Sequence, residues 1–180
     1  MDKEAIKKEL IETHKSYTDY ISSLSEDKFV EKKNNGKWSA GQQLQHIFLS
    51  VRPVNFALFL PKFLLRLFGK PKEKRTYEEI IKTYQNSLIN GGKASALYIP
   101  KSVSINQKQK LIIDLTNLIM SLTKKIDKLD EEDLDNYILP HPLIGKTTIR
   151  EMLYFTIYHV QHHHKAIEVV GSTWTVLNQC

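Results

Sequence analysis

A chain of 180 residues with 41% hydrophobic residues can bury its own core as a single domain over residues 1–180, and one cysteine, Cys180, excludes an internal disulfide framework. The net charge of +6 is scattered as lysines and countered by an acidic cluster at 130–135, so it does not form the focused basic stripe of a nucleic-acid-binding protein. The start Met-Asp-Lys-Glu lacks a leader's apolar stretch, and residues 54–68 are too short to span a bilayer and carry Pro61, Lys62 and Arg66; a cytoplasmic protein without a transmembrane segment is expected.

Ile6, Leu10, His14, Tyr17, Ile21 and Leu24 recur at steps of three and four, which predicts a first helix over 3–24. Residues 32–37, with Asn34-Asn35-Gly36 at the centre, form a turn by composition. Ser39 and Gln42 then make a capping box, in which the serine hydroxyl accepts from the N3 amide while the glutamine reaches back. Trp38 is placed to pack on the helix it precedes. Pro53 and Pro61 predict a bent or broken helix continuing to Phe68 and stopped by Gly69-Lys70-Pro71. Eleven of the 15 residues at 54–68 are apolar, a pattern read first as buried core and secondly as a homodimer or membrane surface.

Thr76 and Glu79 form a second capping box, opening a connecting helix that Gly91-Gly92 closes. Ile112, Leu115, Ile119, Leu122, Ile126 and Leu129 trace a bundle seam on a third main helix that starts near Ile105. An acidic loop and His141-Pro142-Leu143-Ile144-Gly145 lead to a third capping box, Thr148 with Glu151, and a last long helix to about residue 170. The expected fold is all-α, a four-helix bundle with an additional connecting helix.

The last helix carries His159, His162, His163 and His164. Heptads counted from Ile149 put Ile149, Thr156, His163 and Val170 in one inward row and Met152, His159 and Ala166 in the next. His159 and His163 therefore share the seam, with His162 and His164 to either side. Residues four apart lie about 5–6 Å from each other at Cβ, which lets two imidazoles converge on one ion. The small neighbours Thr156 and Ala166 leave room there. Spacing alone keeps two readings open, a metal chelate and a pair of hydrogen-bonded core histidines. A third ligand would come from His14, His46 or His141, and periodicity does not choose among them. His14 sits on a core stripe, His46 at the edge of the stripe made by Leu44, Ile47 and Val51, and His141 in a loop suited to capping. No HExxH, CxxC, Glu-x-x-His, phosphate loop or GxSxG is present, which excludes the corresponding zinc, di-iron, nucleotide and hydrolase chemistries.

Three blocks in order resemble the DinB-like superfamily of bacterial four-helix proteins, which includes relatives of the bacillithiol transferases. They are Trp38-Ser39 followed by His46, then His141-Pro142-Leu143-Ile144-Gly145 with Thr147-Thr148-Ile149-Arg150-Glu151, then His159 with His163. The resemblance implies an up-down-down-up bundle and a three-histidine site for zinc or nickel formed by His46, His159 and His163. Many relatives place a glutamate in the turn before the second-helix histidine, where this chain has Gln42 and Gln43.

The resemblance further implies a metal-dependent thiol S-transferase or hydrolase acting on small molecules, with a low-molecular-weight thiol as cosubstrate. Thr156 is assigned to position the nucleophile, and the basic surface is taken to favour an acidic cosubstrate. The alternative is a non-catalytic metal-binding or protein-interaction module of the same fold.

Overall fold

The computed structural model describes residues 1–32, 37–69 and 73–168. The Asn34-Asn35-Gly36 turn, the Lys70-Pro71 stop and the end of the last helix beyond 168 lie outside them. Eight helices and one short β-hairpin make up the described chain, so it is predominantly helical, as expected.

Helix α1 spans Lys3–Ser23, capped by Asp2, and buries Ile6, Leu10, His14, Tyr17 and Ile21 on one face. A short α2, Glu26–Val30, follows the N-cap Ser25 and sends Phe29 into the core. Helix α3 covers Ala40–Ala57, and its Ser39–Gln42 capping box is fully formed. Pro53 lies inside α3, and Pro61 precedes α4, Lys62–Leu65, which runs into a 3-10 turn at Arg66–Phe68. The predicted break thus falls between Ala57 and Lys62, and Gly69, at φ 110°, ends the segment in a conformation that favours glycine.

Helix α5, Tyr77–Ile89, begins at the Thr76–Glu79 capping box. Helix α6, Lys108–Ile126, follows a 3-10 turn at Ile105–Gln107 and buries the predicted seam through Leu115, Ile119, Leu122 and Ile126. Helix α7, Glu131–Asn136, occupies the stretch expected to be an acidic loop. Strands β1, Ile138–His141, and β2, Gly145–Thr148, then pair antiparallel with Ile138 opposite Thr148 and His141 opposite Gly145. Neither strand was expected, because four residues are too few for a period of two to stand out from helical patterning. Helix α8, Ile149–Glu168, completes the described chain.

Each of α1 and α3 packs against both α6 and α8, while α5 lies along α8. No single helix among the described residues is long and apolar enough to cross a membrane. The expectation that 54–68 is mainly core is corrected. Val54 and Leu65 are buried, but Phe56, Phe59, Phe63 and Leu67 face solvent, because α4 sets off at 112° to α3 and leaves the bundle.

Arg75 fastens the connection between α4 and α5 to this framework. Its guanidinium meets Glu151 at 2.8 Å and donates to the carbonyls of Ile144 at 3.2 Å and Lys146 at 3.0 Å. Glu151 also takes the amides of Arg75 and Thr148, so one buried carboxylate joins the hairpin, the connection and the start of α8.

Candidate metal centre

The histidines converge because of where two helices place them. His159 and His163 lie one turn apart on α8, while His46 lies in the second turn of α3, the helix packed alongside. All three are buried. His159 Nε2 lies 3.2 Å from His46 Nε2 and 3.1 Å from His163 Nε2, and the three ligand atoms all fall within 4.8 Å of one another.

Hydrogen bonds on the far side of two rings fix which nitrogen is free. His46 Nδ1 lies 2.7 Å from the Tyr98 carbonyl, an acceptor only, so Nδ1 carries the proton and Nε2 its lone pair. His163 Nδ1 likewise donates to Gln43 Oε1 at 3.0 Å. The amide orientation of Gln43 follows from its other contact, since its Nε2 donates to the Trp38 carbonyl at 3.4 Å. Burial is the main cause that pushes His159 and His163 well below the ordinary imidazole pKa, and it lowers His46 as well, so neutral rings are favoured near pH 7. Neighbouring imidazoles add to the effect at His159 and His163.

The inward lone pairs of His46 and His163 both face His159 Nε2, so a cation or the His159 proton must lie among the three nitrogens. Two nitrogens about 2.0–2.1 Å from a tetrahedral ion stand roughly 3.3 Å apart, close to both separations at His159. The donor set thus fits a divalent metal ion.

All three histidines line a cavity of about 350 Å³. The Trp38 ring lies 4.7 Å from that of His46, and Phe155 stacks on His159 at 4.8 Å. The remaining wall is largely aliphatic, with Val54, Leu60, Leu143 and Met152 among its residues, and among the described residues no Asp, Glu, Lys or Arg lines it. His141 does. Its Nδ1 accepts from the amides of Leu143 and Ile144 at 3.2 and 3.3 Å, which leaves Nε2 as the protonated nitrogen of the neutral ring. Burial lowers its pKa to about 4.

The superfamily's sequence profile covers residues 9–167, all of the site included. The chain belongs to the DinB superfamily. Membership and the histidine cluster together fit a metal-binding protein. No curated protein and no solved structure gives a significant match.

Other candidates of this DinB-superfamily chain fall elsewhere. Thr156, expected to position a nucleophile, is buried, returns its hydroxyl to the Met152 carbonyl at 2.8 Å and does not line the cavity. The α8 stripe that faces the cavity is Met152, Phe155, His159 and His163, a step of three followed by two of four, so the space opens beside Phe155 and not beside Thr156 and Ala166. His14 is a core residue of α1 whose Nδ1 donates to the Leu10 carbonyl at 2.8 Å. His162 packs near Tyr84 and His164 between Tyr17 and Tyr20, on opposite sides of the seam. Sequence reasoning missed Gln43 as the partner of His163, although its place three residues before His46 on one helix face was a usable signal. Tyr98 acts through a backbone carbonyl and gave none.

Proposed function

We propose that the protein is a metal-dependent enzyme, using zinc or nickel, that acts on small molecules whose buried portion is apolar, with S-transfer from a low-molecular-weight thiol as the favoured reaction and hydrolysis as the other. The observation that carries this reading is the convergence of three Nε2 atoms, from His46, His159 and His163, on the wall of a cavity with no charged side chain among the described residues. A closed structural site would have no use for such a space. The same openness weighs against a purely metal-binding or interaction module.

When bound, the ion supplies Lewis acidity, which lowers the pKa of a thiol or water brought to it. The chain's own residues do the rest. Gln43 and the Tyr98 carbonyl hold two imidazoles in the tautomer that offers Nε2 inward. Trp38, Phe155 and the aliphatic wall exclude water and select an apolar substrate, because a charged group away from the ion would lose hydration with no counter-charge among the described lining residues. His141 offers a neutral N–H donor to a polar atom of the substrate.

A thiol made acidic at the site needs no further base, whereas hydrolysis profits from a carboxylate and none lines the cavity among the described residues. That favours S-transfer. The acidic groups of a cosubstrate would stay outside the cavity.

Metal analysis of untagged protein, followed by a screen of thiols against apolar electrophiles with His159→Ala as control, tests the proposal. Stoichiometric metal and turnover lost in the variant are expected. Metal-free protein that takes up neither zinc nor nickel on titration would sink it.

A further inference from the structure

Phe56 at 62% exposure and Phe68 at 38% line the cavity and also face solvent, as do Pro53, Pro140 and Pro142, and so these residues mark its mouth. Beside them the corner between α3 and α4 presents Phe59, Phe63 and Leu67, exposed by 74%, 65% and 79%. Leu97, 82% exposed, precedes in sequence the Tyr98 that lines the cavity and holds His46. An apolar group of this size around one opening marks an interaction surface.

The charge pattern says what it meets. No acidic residue occurs between Glu31 and Glu73, while Arg52, Lys62 and Arg66 alternate with the phenylalanines. Lys62 is engaged by Asp133 at 2.6 Å. Arg52 and Arg66 are exposed and have no acidic partner among the described residues. Lys125 adds a cation 5.6 Å above the Phe59 ring.

Aromatic rings and guanidinium groups interleaved on one corner suit the boundary between headgroups and acyl chains, where the rings enter hydrocarbon and the cations meet phosphate. A second copy docked by a two-fold axis would set these cations against each other. We infer that this face docks on an anionic lipid bilayer, so that the cavity opens toward the acyl region and takes apolar ligands from it. The inference shares the cavity with the proposed function but does not depend on its metal.

Flotation of the full chain with phosphatidylcholine vesicles, with and without phosphatidylglycerol, tests it. Binding is expected with phosphatidylglycerol, and it weakens at high salt. Phe59→Ser with Phe63→Ser, both at exposed positions, lowers partitioning roughly tenfold or more while helicity and metal content stay unchanged. Arg52→Glu with Arg66→Glu removes the preference for phosphatidylglycerol. Absence of flotation with phosphatidylglycerol vesicles overturns the inference, as does flotation that the phenylalanine pair leaves unaltered. So does a concentration-dependent dimer in sedimentation that the same pair dissolves, since that assigns the face to a second copy. Metal measured in the same samples separates the two readings: metal-loaded protein that does not float overturns this one alone.

Discussion

Gln43 Oε1 accepts the Nδ1 proton of His163 across the α3–α8 interface at 3.0 Å, and so a glutamine three residues from one proposed ligand orients another. The contact holds His163 in the tautomer whose Nε2 faces the other two rings. Removing it frees the ring to rotate and to move its proton.

Gln43→Ala should therefore weaken metal binding by about 10–100-fold, the usual effect of losing a partner behind a ligating histidine. Gln43→Glu, which keeps an acceptor at the same reach, should restore most of the affinity. Competition with a chromogenic chelator measures both, and equal affinity in all three proteins would remove Gln43 from the site.

His141→Leu deletes the only N–H that its neutral ring can offer to the cavity. Once a substrate is in hand, kcat/KM should fall about tenfold or more with metal content unchanged. Asparagine at 141 can accept from the two amides and still donate, so it should recover part of the loss. A change in metal affinity in place of turnover would give His141 a structural role instead.

His14 makes stability depend on pH. It is wholly buried, its Nε2 has no partner among the described residues, and burial lowers its pKa to about 4 from an ordinary 6.5. The unfolded chain thus binds this proton below pH 6.5 while the folded chain refuses it until about 4. Stability from His14 is complete above pH 6.5 and declines as the pH falls toward 4, by on the order of 3 kcal/mol in all. Urea denaturation at several pH values should show a shallower acid loss in His14→Leu than in the parent.

Arg75→Met leaves the Glu151 carboxylate buried without its cation. A loss of about 3 kcal/mol in unfolding free energy is expected, since truncating one partner of a buried pair strands the other charge. Adding Glu151→Gln should return part of it. Thermal and urea unfolding of the two variants check this, and a single variant as stable as the parent would mean that water reaches Glu151.

The long helices were legible because helix formation is a local property, whereas the short α2 and α7 were not. The three capping boxes span four residues each, and the α6 seam repeats within a single element, so nothing distant was needed to read them. The resemblance then named His46. The hairpin stayed hidden because its strands are four residues long, and the role of 54–68 was misjudged because composition reports apolarity but not direction.

By itself, then, the sequence determined the helical class, the break near Pro61, and the chelate spacing of His159 with His163. Tertiary structure alone decided that His46 meets His159 from 113 residues away, that Gln43 and the Tyr98 carbonyl set the tautomers of His163 and His46, that Thr156 turns back on its own helix, and that Phe59 and Phe63 face solvent. The division follows from range. Hydrogen bonds and periodicity within a helix act over four residues, whereas a site between helices exists only once packing fixes how each is rotated about its axis.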